Sequence, residues 1–167
     1  TSTILKVTNS NNEVLEEFKQ EKAKKILDPQ SVYIVTDILG DSNARLGLFG
    51  RTITPTLDAA NVKMALKTGT SDKEGKPKDI WTVGYTPSLA GSVWLGNPDT
   101  TPLTNGNSSI PAQILDPVMA YATSVYQKEG KSKAGDWFSA PKGIQKIGNE
   151  VYPSWYNRKS EMGVKLT

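Results

Sequence analysis

The chain has 167 residues, of which 37% are hydrophobic and 22% charged, with a net charge of +3 at pH 7. These values predict one globular domain with a modest core rather than a disordered chain. The sequence contains no cysteine and no histidine, which excludes disulfides, thiolate or imidazole metal sites and a Ser-His-Asp triad. Neither a block of basic residues typical of nucleic-acid binding nor an apolar run long enough to span a membrane is present.

A hairpin and a helix are predicted in the first forty residues. Residues 4–7 and 13–16 flank an Asn-rich turn, which indicates two short paired strands. Asp28-Pro29 is typical of a helix start, and the apolar residues between 32 and 39 lie on one helical stripe. Gly40 is expected to end this helix.

Three strands are predicted in the middle of the chain. Residues 40–61 are rich in Gly, Asn, Asp and Thr and indicate a long extended loop. The strands follow at 62–71, 80–86 and 91–97, joined by a charged connection from Asp72 to Asp79 and then by a tight turn. The simplest arrangement of these strands is an antiparallel meander.

A second helix is predicted near residues 111–128, ended by Gly130. Pro117 interrupts its apolar stripe, so the helix is expected either to kink there or to restart with Asp116 as its cap. Residues 131–167 are polar with scattered aromatic side chains, and are expected to form a C-terminal tail or linker.

The most informative segment is Lys67-Thr68-Gly69-Thr70-Ser71, at the end of an apolar run. An ammonium, hydroxyls and backbone amides along one strand edge hold a carboxylate by charge-assisted hydrogen bonds, and can direct an N–H toward a developing oxyanion. A glycine allows a substrate backbone to approach closely. Alternation places Lys67 and Gly69 on one face and the two threonines on the other, so a site must run along the strand edge.

Other motifs occur around this segment in a fixed order. They are Asp28–Leu39, Asn43-Ala44-Arg45, Phe49-Gly50, Asp79-Ile80-Trp81, Gly84–Pro87, Val93–Asn97 and the helix Pro111–Met119. Together with Lys-Thr-Gly, the third motif of serine β-lactamases and penicillin-binding proteins, they resemble bifunctional (class A) penicillin-binding proteins. An aromatic residue that is frequent in the last motif of that family is replaced here by Leu115.

The resemblance implies a partial penicillin-binding/serine β-lactamase-like transpeptidase fold of the α/β (α+β) class, an antiparallel sheet packed by helices. It also implies a peptidoglycan DD-transpeptidase that works without a cofactor or metal. A serine attacks the D-Ala-D-Ala bond of a stem peptide, D-Ala leaves, and an amine of a neighbouring stem resolves the acyl-enzyme. β-Lactam antibiotics acylate the same serine.

The resemblance also implies roles for the residues of the segment. Lys67 supplies positive potential and takes part in the proton network, and the hydroxyls of Thr68 and Thr70 contact the substrate carboxylate. The backbone N–H of Thr70 forms half of the oxyanion hole. The catalytic residues of this chain are therefore expected to be Lys67 and Thr70, and the substrate-binding residues Thr68, Gly69, Thr70 and Ser71.

Two further motifs of the family, Ser-x-x-Lys and Ser-x-Asn, are expected upstream of Lys-Thr-Gly. Ser139-Ala140-Pro141-Lys142 fits the first pattern, but it lies downstream and Pro141 argues against a helix. Ser10-Asn11-Asn12 fits the second in the setting of a hairpin turn. The nucleophile is thus expected in a preceding part of the protein, as is a membrane anchor, since Thr1 is not a natural start residue.

These expectations divide the chain into residues 1–130, the C-terminal portion of a transpeptidase domain, and residues 131–167, the tail. The partners are a stem peptide ending in D-Ala-D-Ala, β-lactams and the missing N-terminal part, on the cell-wall side of the bacterial cytoplasmic membrane. The isolated chain is expected to be inactive. Two alternatives stay open: a non-catalytic cell-wall binding module of the same fold, and a hydrolase, either a DD-carboxypeptidase or a β-lactamase.

Overall fold

A short hairpin opens the part of the chain that the structure describes. The structure is a computed structural model that describes residues 4–19 and 24–156. Strand β1, Lys6–Thr8, pairs antiparallel with β2, Val14–Glu17. The Asn9 side chain accepts hydrogen bonds from the backbone N–H groups of Asn11 and Glu13, an Asx turn that explains why the Asn-rich sequence reverses the chain. The predicted hairpin is confirmed.

The centre of the molecule is a three-stranded antiparallel sheet. Its strands are β3, Ala65–Lys73, β4, Lys76–Tyr85, and β5, Ala90–Gly96, in the order β3-β4-β5. The predicted meander is confirmed, and β4 is the only central strand of this sheet. Consequently β3 and β5 both lie at its edges.

The first connection of the sheet is shorter than predicted. Residues 72–79 were expected to form a loop, but Asp72 and Lys73 continue β3 and residues 76–79 begin β4. Only Glu74 and Gly75 turn the chain, with φ of 55° and 74°, the left-handed pair of a tight hairpin turn. The charged composition concealed the strands because the side chains of this protruding hairpin are solvated on both faces.

Helix α1, Pro29–Gly40, begins where predicted, since the Asp28 carboxylate accepts a 2.9 Å hydrogen bond from the N–H of Ser31. Gly40 does not end it by a left-handed turn, because it is still helical and Asp41 follows as the cap. Gly40 is buried, and a Cβ there would lie 2.7 Å from Cζ2 of Trp137. Close packing against Trp137 therefore explains why this position has no side chain.

The long loop predicted over residues 40–61 is wrong, because two short helices fill it. Helix α2, Ser42–Phe49, is capped by Asp41, which accepts from two backbone N–H groups, and ends at Gly50 with φ of 66°. Helix α3, Pro55–Ala59, follows. These helices are too short to show a clear apolar period, so local composition suggested a loop.

Helix α4, Ser109–Lys128, contains Pro117 without interruption. Asp116 does not restart the helix, as one expectation had it. Instead its carboxylate caps α3, accepting hydrogen bonds of 2.8 Å from the N–H groups of Thr56 and Leu57. Asp116 is 2% exposed, so this buried contact ties α4 to α3. Gly130 has φ of 70° just after the end of α4, as predicted.

The core lies between α3, α4 and one face of the sheet. Its buried side chains are Ile53, Leu57, Met64, Leu66, Ala112, Leu115 and Met119. Helix α4 packs on β4 and β5, in the manner of an antiparallel sheet with helices on it. The mixed α/β class predicted from the sequence, an antiparallel sheet packed by helices, is confirmed.

The C-terminal segment folds back onto the rest of the molecule. It contains a hairpin of β6, Ile144–Ile147, and β7, Glu150–Pro153, which was not predicted. Ahead of the hairpin, Trp137 stacks under Lys63 Nζ at 4.4 Å, and Phe138 meets the Tyr85 ring edge-on at 5.8 Å. The last part of the predicted tail, residues 157–167, lies outside the described residues.

None of the helices within residues 4–19 and 24–156 combines the length and apolar character needed to cross a bilayer.

Candidate functional site

The predicted site residues, Lys67 to Ser71, lie on an edge strand. Ala65 and Leu66 at the start of β3 are buried, and the strand emerges into solvent from Lys67 onward, with only Thr68 half-buried. Its inner side pairs with β4, and no strand of the described residues pairs with its outer side. The backbone N–H and C=O groups of that outer side are therefore available to another chain.

The two faces of the sheet have different surroundings along β3. We call the face with Leu66, Thr68 and Thr70 the packed face, because its cross-strand residues Ile80 and Thr82 are fully buried beneath α4. We call the face with Lys67, Gly69 and Ser71 the open face, because it stays exposed beyond its first residues. As alternation predicted, the threonines and the lysine project to opposite sides.

Lys67 is exposed, and its ammonium donates a hydrogen bond to the backbone carbonyl oxygen of Thr68. Within the described part of the chain its Nζ makes no ion pair. The hydroxyls of Thr68 and Thr70 likewise have no hydrogen bond within residues 4–19 and 24–156. The charge and the two hydroxyls are thus free to meet an anion at the strand edge.

Gly69 is not required by packing inside the described chain. A Cβ at Gly69 would meet only the Cβ of Trp81, at 4.0 Å. By contrast, a Cβ at Gly84, on the packed face, would lie 2.6 Å from Sδ of Met64. The missing side chain at Gly69 therefore leaves this part of the exposed strand uncrowded, as a close approach of another backbone requires.

Ser71 is held by a network that sequence reasoning missed. Its hydroxyl donates a 2.8 Å hydrogen bond to Asp79 Oδ2 on β4, which also lies 3.1 Å from Lys78 Nζ. Trp94 Nε1 on β5 donates to Asp79 Oδ1 at 3.1 Å. The hydrogen bond from Ser71, followed by those from Lys78 and Trp94, lowers the pKa of Asp79.

The sequence did contain a signal for this network. Asp79 stands two residues before Trp81 in one of the motifs noted above, but it was assigned to a loop, where a carboxylate needs no partner. Only the strand register, with Ser71 directly opposite Asp79, brings the two side chains together.

The open face carries apolar side chains beside the site. Trp81 is 45% exposed and Trp94 is 41% exposed, and their ring centroids are 6.3 Å apart. At the other end of this face α1 covers the sheet, where the hydroxyls of Thr36 and Tyr85 are 2.9 Å apart. The exposed indoles show that this face is only partly covered within the described residues.

The two segments that fit the missing motifs do not join the site. Ser10-Asn11-Asn12 forms the turn of the β1–β2 hairpin, and Asn12 has φ of 62°. Ser139-Ala140-Pro141-Lys142 is irregular rather than helical. The structure therefore agrees with the turn and the loop that the sequence favoured for them.

No metal centre accompanies the strand in the described residues. Asp72, Glu74 and Asp79 do not converge, and no group of three acidic side chains in residues 4–19 and 24–156 is placed to hold an ion.

A cleft of about 650 Å³ lies away from Lys67–Ser71, between the α1–α2 junction, α3 and the β6–β7 hairpin. Its acidic groups already have partners in the chain. Asp37 lies 3.8 Å from Lys63 Nζ, Asp41 caps α2, and Asp58 accepts from the Thr52 hydroxyl at 2.5 Å. The cleft is therefore a polar interface between these elements, and the strand edge remains the better candidate for the functional site.

Comparison with known proteins gives a consistent result. No protein-family profile matches the sequence. The chain is 30% identical over 150 residues to penicillin-binding protein 1A of Clostridium acetobutylicum, an alignment covering 88% of the chain and 16% of that relative. It is 24% identical over 153 residues to penicillin-binding protein 1F of Bacillus subtilis, covering 89% of the chain and 19% of the relative. The chain thus spans less than a fifth of the length of these relatives.

A solved structure shares the fold. Penicillin-binding protein PonA1 from Mycobacterium tuberculosis superposes with a TM-score of 0.54 at 24% identity, over 85% of this chain and 38% of that one.

Proposed function

The chain belongs to the class A penicillin-binding protein family, and we propose that it supplies the Lys-Thr-Gly strand of a serine DD-transpeptidase that cross-links peptidoglycan. The observation that carries the proposal is the exposed outer edge of β3, where Lys67 and Gly69 face open space. An edge strand of this kind takes an extended peptide as an added strand.

The residues of β3 have distinct roles in the proposed reaction. The Lys67 ammonium attracts the terminal carboxylate of a D-Ala-D-Ala stem peptide, or of a β-lactam, and the hydroxyls of Thr68 and Thr70 donate to it. The backbone N–H of Thr70 stabilises the oxyanion that forms as the serine adds to the carbonyl carbon. Gly69 leaves room for the substrate backbone, and Ser71 lies at the far end of the binding edge.

The serine nucleophile comes from a part of the protein outside this sequence. Residues 1–130 are then the C-terminal portion of the transpeptidase domain, and residues 131–167 are its tail. Exposed apolar side chains support a missing partner within the same protein. Besides the two indoles of the open face, α4 exposes Ile114, Val118 and Tyr121, an apolar surface that needs cover in a larger domain.

The proposed reaction also determines the cellular location of the protein and its need for cofactors. Peptidoglycan cross-linking takes place on the cell-wall side of the bacterial cytoplasmic membrane, so the protein works there. The reaction uses no cofactor, because the serine, the lysine and backbone amides provide the nucleophile, the charge and the oxyanion hole.

The test uses the longer protein that contains this chain, with fluorescent penicillin as the probe. Lys67→Ala is expected to reduce the rate of covalent labelling by about a hundred-fold or more, because it removes the positive charge beside the substrate carboxylate. Lys73→Ala is the matched control, since Lys73 is an exposed lysine at the end of the same strand. Normal labelling of the Lys67→Ala protein would contradict the role of this lysine.

A second measurement concerns the isolated 167 residues. Mass spectrometry after incubation with penicillin is expected to find no penicilloyl adduct on them. An adduct would place the nucleophile inside this chain. A longer protein that binds stem peptide without ever forming an acyl-enzyme would instead be a cell-wall binding module.

A further inference from the structure

We infer that Asp79 is a positioning residue. Its carboxylate bridges Ser71 on β3 and Trp94 on β5, a set of contacts that we call the clasp, and so fixes the strand edge formed by residues 67–70. The inference rests on the proposed function and extends it to a residue outside the Lys-Thr-Gly strand. Asp79 touches no substrate in this scheme and acts through Ser71.

The clasp spans all three strands of the sheet on its open face. Ser71 and Asp79 are directly opposite across β3 and β4, and Trp94 lies diagonally across from Asp79 on β5. Each carboxylate oxygen has its own donor. Oδ2 accepts from the Ser71 hydroxyl at 2.8 Å, and Oδ1 accepts from the Trp94 indole at 3.1 Å. One carboxylate therefore couples the edge strand to the far strand.

The clasp can position the strand edge because of where it lies along β3. The strand register shifts between Ser71 and Asp72, where the extra, unpaired residue is Lys78 on β4, so the regular register along β3 is interrupted one residue after Thr70. Bulges of this kind bend a strand and re-aim its edge. Beyond the bulge the hairpin extends into solvent. The Ser71–Asp79 hydrogen bond is thus the last side-chain contact between β3 and β4 before this bulge, and it holds the peptide unit next to Thr70.

Other side chains on this face do not replace the clasp. Lys67 bonds to the neighbouring carbonyl of its own strand, and Gly69 has no side chain. Trp81 lies directly opposite Gly69 on β4, and its indole makes no hydrogen bond in the described residues. In the described residues Asp79 is therefore the one group whose polar contacts cross from β3 through β4 to β5 on the open face.

The charges around Asp79 favour its ionised form. Lys78 is the nearest cation, at 3.1 Å from Oδ2. β5 carries no charged residue. The other charged side chains on the two hairpin strands are Lys67, Asp72 and Lys73 on β3 and Lys76 on β4. A charged acceptor makes shorter and stronger hydrogen bonds than a neutral one, which suits a tie that sets geometry.

The test compares four forms of the longer protein: wild type, Asp79→Asn, Trp94→Phe and the control Asp72→Asn. Asp72 is exposed and lies on β3 just beyond the register shift, and its side chain makes no hydrogen bond in the described residues. Two quantities are measured with a chromogenic penicillin, the rate constant of serine acylation and the dissociation constant of the preceding non-covalent complex. The pH dependence of the acylation rate is recorded for each form.

Asp79→Asn is expected to lower the acylation rate constant by about ten- to a hundred-fold, since a displacement of the oxyanion donor by a fraction of an ångström to one ångström has effects of this size. The dissociation constant is expected to change by less than about three-fold, because Lys67 and the threonine hydroxyls remain.

Trp94→Phe keeps an aromatic ring but removes the N–H that donates to Asp79, and is expected to lower the acylation rate constant by an intermediate amount. In this variant the fall of the acylation rate constant at low pH, the acid limb of its pH profile, is also expected to move to higher pH. The reason is that Asp79 loses a hydrogen-bond donor that favours its charged form.

Each outcome decides a different claim. Equal acylation rates for Asp79→Asn and Asp72→Asn would overturn the positioning role and leave the proposed function intact. Equal losses in rate and in binding, with no shift of the acid limb, would mean that Asp79 only supports the fold, and would also overturn it. A wild-type protein that is never acylated would overturn the proposed function and, with it, the role of Asp79.

Discussion

The packed and open faces of the β3–β4–β5 sheet are built from the same three strands and differ in almost every other respect. On the packed face the side chains of Ile80 and Thr82 are fully buried under α4. On the open face α1 covers only one end, Trp81 and Trp94 remain exposed at the other, and the polar contacts there are the hydrogen bonds and ion pair of Asp79.

This difference separates stability from chemistry. Burial of apolar area, which dominates folding free energy, is concentrated on the packed side. The open side keeps a lysine, a glycine and a free strand edge without cover, features that add little to folding and are useful for binding an extended peptide. Substitutions on the two sides should therefore have opposite signatures, one in unfolding and the other in acylation.

The largest expected effect tests the packed side through Asp116. Asp116→Ala removes the carboxylate that accepts from two backbone N–H groups of α3, leaving at least one of them buried and unpaired. We expect a loss of about 2–4 kcal/mol in the free energy of unfolding, measured by urea denaturation. Asp72→Ala is the control and should stay within about 0.5 kcal/mol of wild type. A similar small change for Asp116→Ala would mean that the α3–α4 contact contributes little.

The sharpest comparison is the same substitution on the two faces. Gly84→Ala forces a Cβ against the buried Met64 side chain and is expected to cost about 1–3 kcal/mol by overpacking. Gly69→Ala meets only ordinary contact distances and should change stability by less than about 1 kcal/mol, with a slight gain because alanine is favoured over glycine in strands.

Penicillin labelling should respond in the reverse order. Gly69→Ala is expected to slow labelling of the longer protein strongly, because its Cβ takes the space left for the substrate backbone, whereas Gly84→Ala should label normally at temperatures where it is folded. The distinction between the faces would collapse if both alanine variants lost stability alike and labelled alike.

The smallest expected effect is a pH dependence on the open side. The pKa of Asp79 lies below its ordinary value of 3.8, so its charged form is favoured by folding. That contribution is fully present above the unfolded pKa and disappears as the pH falls through the folded pKa. The difference in stability between wild type and Asp79→Asn should therefore be constant near neutral pH and shrink below about pH 4.

The comparison with Asp79→Asn removes the other acidic groups from the measurement. The pKa values of Asp28 and Asp99 are also lowered, chiefly by hydrogen bonds from Ser31 and Thr101 respectively. Both carboxylates are present in both proteins, so their contributions cancel in the difference. A difference that stays constant down to pH 2 would show that the network of Asp79 does not depend on its charge.

Sequence reasoning succeeded where one local signal was sufficient. Asp28-Pro29 marked the start of α1, and alternating residues marked β4 and β5. It failed where the stabilising group lies far away in sequence. Helix α3 is five residues long and receives its cap from Asp116, about sixty positions later, so its own residues indicated a loop.

The strand ends show the same limit. The residues around Glu74 and Gly75 are charged, and nothing local shows that they pair across a hairpin. As a result Asp79 was placed in a loop and its role in holding Ser71 was missed. Similarly, the sequence shows scattered aromatic residues in the C-terminal segment, but the partners of Trp137, which are Gly40 and Lys63, are not predictable from spacing.

The sequence by itself determined the chemistry that is possible, because the absence of histidine and cysteine and the order Lys67-Thr68-Gly69 restrict the groups that can act. It also determined which residues share a face, since side chains alternate strictly along a strand. Only the tertiary structure decided that β3 is an edge strand, that Gly69 faces open space while Gly84 does not, and that Asp79 reaches both Ser71 and Trp94. These properties depend on which strands and helices meet, and such long-range contacts are set by the burial of the whole core rather than by any short stretch of the chain.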